Sequence, residues 1–175
     1  MAEFVAKVAR RINATAEEGK DYLDLSNCHL ISFPDGVFKV LSSVTENIRV
    51  ISLADNEMKA LSTKFCSIFT QLRELNLHGN VLTKVPDAVV EMEHLSNINL
   101  SKNNFSVFPE KLTEMSALER IDLEGTTSAV QYVPVEKLLS MPSLKWINLR
   151  SNPLNPQTVS ALQSPHNFEL LISEP

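Results

Sequence analysis

The stretch "LRELNLHGNVL" (residues 72–82) decides the fold, because its spacing of apolar residues returns elsewhere in the same register. Two further copies are "LSNINLSKNNF" (95–105) and "LKWINLRSNPL" (144–154). They follow the pattern L-x-x-L-x-L-x-x-N-x-L, with isoleucine or phenylalanine replacing some leucines. The fourth and sixth positions are two residues apart, so both side chains lie on one face of a short strand. The pattern predicts a solenoid of stacked coils.

Three weaker copies extend the array to six. They are "IRVISLADNEM" (48–58), "LERIDLEGT" (118–126) and "KDYLDLSNCHL" (20–30), where Lys20 takes the leading position. We therefore expect an α/β solenoid of about six coils of roughly 23 residues, whose short strands form a concave parallel sheet. The fifth copy departs from the pattern within "LEGTTSAVQYVP", so the path of its coil is not predicted.

The ninth position of each copy marks the turn out of the strand. An amide there both donates and accepts, so we expect it to satisfy backbone groups of the turn and of the next coil. The residues in this position are Cys28, Asn56, Asn80, Asn103, Thr126 and Asn152.

Both ends of a solenoid need covers, since an uncovered end exposes the core. Within a single domain (1–175), we assign a capping helix to residues 1–19, the repeats to 20–154 and a C-terminal cap to 155–175. The first segment is amphipathic and ends at Gly19. Because it carries Lys7, Arg10 and Arg11, a membrane-surface or targeting segment is the alternative interpretation.

An apolar residue followed by proline comes after several strands and predicts a short helical or extended turn with a defined start. These pairs are Phe33-Pro34, Val85-Pro86, Phe108-Pro109 and Val133-Pro134. The C-terminal cap predicts a short helix around Thr158 to Leu162, followed by apolar residues that close the last coil.

Composition limits the function classes. The chain has 175 residues, 43% of them hydrophobic, and a net charge of -5, which indicates no general attraction to nucleic acid. It contains no long apolar run, so we expect no membrane contact. Cys28 and Cys66 are far apart and fit reduced thiols. We expect a monomer in the cytoplasm, with the nucleus as the alternative, and not a secreted protein.

No pattern of catalytic residues emerges from the sequence. The four histidines fall on separate coils or caps without metal-ligand spacing, and there is no glycine-rich loop. Cys28 is followed by His29, but the repeat register places Cys28 inside the coil, where a thiol is usually inert. The sequence therefore predicts no enzyme, no metal and no cofactor.

The third, fifth and seventh positions of the strands point away from the core and form the predicted binding face. Trp146 has two interpretations: an anchor for a partner, or a ring packed against Arg120 at the edge of the sheet. Because acidic and basic residues are mixed on this face, a protein is a better partner than a nucleic acid. The candidate binding residues are Trp146, Arg120, Arg150, Asn148, Asn99, Asn76 and Tyr22.

The repeats resemble those of the intracellular leucine-rich repeat proteins and cover most of the chain. "LDLSNCHLISFP" (23–34) and "INLRSNPLN" (147–155) carry the resemblance most clearly. It implies the solenoid fold and a protein-binding role, without an activity, cofactor or settled partner. We therefore expect an adaptor or regulatory subunit that binds a partner protein on the concave sheet. The alternative is a structural subunit of a larger assembly, such as a ribonucleoprotein, held through its convex face or caps.

Overall fold

Short strands recur at the predicted place in every coil of the computed structural model, which describes residues 2–125 and 130–173. Each strand covers the third to fifth positions of its repeat, and all pair in parallel in chain order. The repeat strands are β1 (Tyr22–Asp24), β2 (Val50–Ser52), β3 (Glu74–Asn76), β4 (Asn97–Asn99), β5 (Arg120–Asp122) and β6 (Trp146–Asn148).

A further strand comes from the C-terminal cap, so the sheet has seven strands in the part of the chain described, where the repeats predicted six. Strand β7 (Glu169–Leu171) pairs in parallel with β6. The Glu169 N–H donates to Lys145 O at 2.8 Å, and Leu149 N–H donates to Leu171 O at 2.7 Å. β7 thus supplies hydrogen-bond partners for the backbone groups at the edge of β6, although the β7 sequence lacks the repeat pattern.

Short helices return the chain on the far side of the core from the sheet. The predicted role of the prolines is confirmed, since Pro34, Pro86, Pro109 and Pro134 each directly precede a helix. The short helices of the repeats, with or without a preceding proline, are α2 (Asp35–Val40), α3 (Thr63–Ile68) and α4 (Val135–Leu139), with 3-10 helices at Thr45–Asn47, Asp87–Glu91 and Glu110–Glu114. Helix α5 (Pro156–Leu162) covers the predicted C-terminal helix and begins earlier.

The N-terminal helix covers the first coil, as predicted. Helix α1 (Ala2–Glu18) buries Val8 and Ile12 in the common core, and Gly19 follows it with a φ of +61°. A left-handed residue of this kind commonly ends a helix, and glycine adopts it without a Cβ clash.

Side chains of α1 also donate hydrogen bonds to backbone carbonyls along the open edge of β1 and the turn after it. Arg11 Nη1 donates to Asp24 O and Ser26 O, each at 3.1 Å. Lys7 Nζ donates to the Asn27 carbonyl at 2.9 Å, and Thr15 Oγ1 donates to the Tyr22 carbonyl at 2.9 Å. The three side chains are four residues apart and share one helix face. Two of the basic residues that suggested a targeting segment therefore have a structural role.

Among the residues described, no helix is both long enough and apolar enough to cross a membrane.

Candidate functional site

The inner asparagine row joins successive coils. Buried Asn80 donates from Nδ2 to Leu77 O at 3.0 Å in its own coil and to Leu53 O at 2.9 Å in the preceding coil. Its Oδ1 accepts from Met58 N–H, also in the preceding coil, at 3.0 Å. The same pattern of carbonyl contacts holds for Asn56, Asn103 and Asn152. The expected bridge to the next coil is wrong in direction, because these amides point back to the coil before.

The direction of the row accounts for cysteine in the first coil. Cys28 is buried and its Sγ donates to Ser26 O at 3.3 Å within the same coil. Helix α1, not another coil, precedes it, so no strand carbonyl lies where an amide would reach back. Its N–H donates to Asn56 Oδ1 at 2.9 Å, which ties it to the following coil. Thr126 lies outside the described residues.

The residue before each ninth position has a left-handed backbone, a feature that the sequence interpretation missed. Four of the six residues are asparagine, aspartate or glycine, the types that tolerate this conformation best, and that enrichment was the available signal. They are Asn27, Asp55, Gly79, Lys102, Gly125 and Ser151, with φ from +53° to +70°.

The fifth positions form a second polar row, on the concave face. Asn76 Oδ1 accepts from His78 N–H, and Asn99 Oδ1 accepts from Ser101 N–H, both at 3.0 Å. The same bond to the N–H two residues later occurs at Asp24, Ser52, Asp122 and Asn148. These side chains shape the exit of their own strand. Because each oxygen already accepts a backbone hydrogen bond, the Nδ2 groups of Asn76 and Asn99 are the atoms left for further hydrogen bonds.

Asn148 differs from the other candidates in this row. It is only 4% exposed, and its Nδ2 donates to Glu124 Oε2 at 3.1 Å. Leu171 of β7 lies beside it in register. Asn148, predicted to lie on the open binding face, is therefore covered at this end of the sheet, where the seventh strand adds an apolar neighbour.

Two aspartates of this row have opposite electrostatic environments. Burial raises the pKa of Asp122 above its ordinary value, and the hydrogen bond from Glu124 N–H only partly offsets this effect. At Asp24 burial also works against the charge, but hydrogen bonds from Ser26 and the nearby Arg11 charge outweigh it, so the pKa of Asp24 is lowered. The Arg11 guanidinium lies 3.5 Å from Asp24 Oδ1.

Trp146 and Arg120 form a stack at the C-terminal end of the concave face. They are neighbours in register on β6 and β5, and the guanidinium carbon of Arg120 lies 4.1 Å from the ring centroid of half-buried Trp146. Arg150 is exposed in the turn that follows β6. Within residues 2–125 and 130–173, no carboxylate lies within ion-pair distance of either arginine. The stack orders Arg120 but does not neutralise its charge.

Tyr22 stands apart from this group, at the opposite end of the sheet. It is 46% exposed, and Lys20 Nζ lies 5.3 Å from its ring centroid. Four strand positions separate β1 from β5. The seven candidate residues thus share one face but not one continuous patch.

A histidine contact that the sequence did not reveal connects three coils. His78 Nδ1 lies 2.6 Å from Ser101 Oγ, and His78 Nε2 lies 3.8 Å from Asp55 Oδ1. Ser101 is 5% exposed and its hydroxyl donates to Asn99 Oδ1 at 2.5 Å, so its oxygen accepts from His78. These hydrogen bonds fix the buried Ser101 hydroxyl beneath the concave face, where it is not presented as a nucleophile.

The thiols and acidic groups suggest no further chemistry. Burial raises the pKa of Cys66 to about 12, so its thiol stays protonated near neutral pH. Cys28 is also buried, and neither thiol forms a disulfide, as expected. In the described part of the chain, no group of three or more histidine, cysteine, aspartate or glutamate residues could hold a metal ion.

Comparison with solved structures supports the fold. A leucine-rich repeat protein from Bacteroides thetaiotaomicron superimposes with a TM-score of 0.67 at 20% identity, over 87% of this chain and 22% of that one. The leucine-rich repeat domain of the type III effector XopL superimposes with a TM-score of 0.64 at 14% identity, over 87% of this chain and 60% of that one. At these identities the likeness concerns the fold alone.

Sequence relatives are closer. A leucine rich repeat family model matches residues 70–127. The Mus musculus leucine-rich repeat-containing protein 20 is 51% identical over 173 residues, which cover 99% of this chain and 93% of the mouse protein. The Homo sapiens protein of that name is 52% identical over 95 residues, covering 54% of this chain and 52% of the human protein. This chain therefore belongs to the leucine-rich repeat-containing protein 20 family of leucine-rich repeat proteins.

Proposed function

We propose that this protein is a noncatalytic interaction module, an adaptor or regulatory subunit that binds a partner protein on its concave sheet. The observation that carries the proposal is the Arg120 and Trp146 stack, together with the exposed charge of Arg150. Tryptophan and arginine are the residue types that most often dominate binding energy at interfaces. Their ordering before binding lowers the entropy that a partner must overcome.

The proposal includes a monomer in the cytoplasm or nucleus that makes no direct contact with nucleic acid or a membrane. The mixed charge of the concave face supports a protein partner. Phosphate backbones are bound by faces with a clear excess of basic residues, and acidic Asp122 and Glu124 lie between Arg120 and Arg150 here.

Affinity capture from cells tests the concave face. The variant Arg120→Ala, Trp146→Ala, Arg150→Ala is compared with Glu110→Ala, Lys137→Ala, which removes an exposed ion pair of 2.9 Å away from the sheet. We expect the concave variant to lose the specifically captured proteins and the control to retain them. Equal urea midpoints would show that both variants are folded. Unchanged capture by the concave variant would contradict the proposal.

An alternative, a structural subunit held through its cap, is favoured by an apolar depression at the N-terminal end. This depression of about 230 Å³ is lined by Phe4, Val5, Val8, Cys28, His29, Leu30 and Pro34. Val5 is 69% exposed, and nearby Ile31 is 64% exposed. The variant Val5→Lys, Ile31→Lys separates the two functions, because it abolishes capture only if the cap is the binding surface.

A further inference from the structure

Two opposite charges in the third-position column of the sheet have no ion-pair partner among the described residues. Glu74 on β3 and Arg120 on β5 are both exposed and flank Asn97 of β4 in register. No oppositely charged group among the described residues lies within ion-pair distance of either side chain. Because neighbouring strands are about 4.8 Å apart, the two positions are separated by about 10 Å across the sheet.

Amide side chains lie between and beside these charges: Asn97 separates them, and Asn76 and Asn99 are two residues further along β3 and β4. The oxygens of Asn76 and Asn99 are held by backbone N–H groups, which leaves their Nδ2 groups as the donors of these side chains. Within the described residues no acceptor lies within hydrogen-bond distance of either Nδ2, and the Asn97 side chain has no hydrogen-bond partner either. These amides line a concave depression of about 230 Å³ that also includes Glu74 and Val50.

The donors match the main-chain carbonyl groups of an extended segment, which would otherwise lose their hydrogen bonds to water on binding. The flanking charges match two opposite charges on that segment. A segment of one sign is disfavoured, because it would place like charges together at Glu74 or at Arg120. The stack on Trp146 holds the Arg120 guanidinium while leaving N–H groups at its edge for a carboxylate.

We propose that the partner of this face is an extended polypeptide segment that crosses the strands, with a basic side chain at Glu74 and an acidic side chain at Arg120. At about 3.3 Å per residue, a separation of about 10 Å corresponds to about three residues. The basic and acidic residues of the segment are therefore two to four positions apart. This inference rests on the proposed binding role of the concave sheet and adds the chemistry of its partner.

The test uses the full chain and a displayed library of random 12-residue peptides. Selection on the wild type should enrich peptides that carry one basic and one acidic residue at this spacing, in one preferred order. Selection on the variant Glu74→Arg, Arg120→Glu should enrich the opposite order, because the amides between the charges are unchanged. The control Glu110→Lys, Lys137→Glu exchanges the charges of an ion pair outside the sheet and should select the wild-type peptides.

Binding of one selected peptide, measured by fluorescence anisotropy, gives the size of the effect. We expect Glu74→Arg alone to weaken it by about tenfold and added salt to weaken it further. Peptides that require Asn97 and Trp146 but show no charge pair, or no reversal, would overturn this inference while leaving the concave binding role intact. Peptides unaffected by any concave substitution would overturn both.

Discussion

The two polar rows of the sheet use similar residues but bind different parts of the backbone. Asn80 of the inner row binds carbonyl and N–H groups of the preceding coil, whereas Asn76 of the concave row binds an N–H two residues later in its own coil. The inner row therefore holds coil against coil, and the concave row shapes single coils. The inner row stabilises the stack of coils, while Asn76 and Asn99 of the concave row have Nδ2 groups with no acceptor among the described residues.

The largest expected effect is that of Asn80→Ala. The substitution leaves the buried Met58 N–H without its acceptor. Leu53 O and Leu77 O each lose one of two amide donors, since Asn56 and Asn103 still donate to them. At about 1 to 3 kcal/mol for the unsatisfied N–H and about 0.5 to 1.5 kcal/mol for each of the two lost bonds, we expect a loss of about 2 to 6 kcal/mol in the free energy of unfolding. Urea denaturation followed by circular dichroism measures it. A loss below about 1 kcal/mol would mean that the inner row does not join the coils.

The next largest loss of stability is expected at the left-handed turn residue between the two polar rows. Gly79 has a φ of +70°, and a Cβ there would lie 2.5 Å from Asp55 Oδ1. We expect Gly79→Ala to lower the free energy of unfolding by about 1 to 2 kcal/mol. Gly36 has nothing within 4 Å of a Cβ, so Gly36→Ala is the matched control in the same urea experiment. Equal effects would contradict the argument from the turn.

The opposite change is expected at Lys102, which occupies the equivalent turn position of the next coil with a φ of +53°. Lys102→Gly relieves the left-handed strain, although glycine loses more backbone entropy on folding. The net gain should be about 0.5 to 1 kcal/mol. A higher thermal midpoint would show it, and a lower one would mean that the lysine side chain has a stabilising contact.

A smaller loss is expected for Asn76→Ala, the counterpart of Asn80→Ala. The His78 N–H loses its acceptor, but His78 is only half-buried and water replaces the amide oxygen. We expect a loss of about 0.5 to 1 kcal/mol in urea denaturation. A loss as large as that of Asn80→Ala would remove the distinction between the rows.

The smallest effect concerns pH. Because burial raises the folded-state pKa of Asp122, the stability that this residue contributes is full below its unfolded-state pKa and is lost as pH rises through the folded-state value. Asp122→Asn keeps an oxygen for Glu124 N–H and removes the charge. The variant should be slightly more stable than the wild type at neutral pH, and this difference should shrink in acid. A constant difference in urea midpoints would contradict it.

Sequence interpretation succeeded where a residue's role follows from periodicity. The spacing of Leu75 and Leu77 predicted a strand and its buried face, and Pro86 predicted the start of the next turn. It failed at β7, because Glu169–Leu171 has no repeat pattern and becomes a strand only beside the edge of β6. The burial of Asn148 follows from that strand, so it was equally hidden from the sequence.

The candidate site was predicted as a set of outward-pointing positions. That prediction needs only the fact that successive side chains of a strand point to opposite faces. From the sequence, Trp146 could be either an anchor for a partner or a ring packed at the edge of the sheet. The structure places Arg120 on its ring, an arrangement that depends on the pairing of β5 with β6. Contacts across coils, such as that of His78 with Ser101, need the distance between strands and have no signature along the chain.

By itself, the sequence determined the coils, their inward leucines, the asparagine turns and the capping helix, because each follows from the local spacing of residue types. Only the tertiary structure decided which coil an amide reaches, which oxygens of the concave face are already bound, and which charges of the described residues lack an ion-pair partner. Those properties depend on groups that are about 23 residues apart in the chain and about 4.8 Å apart across the sheet.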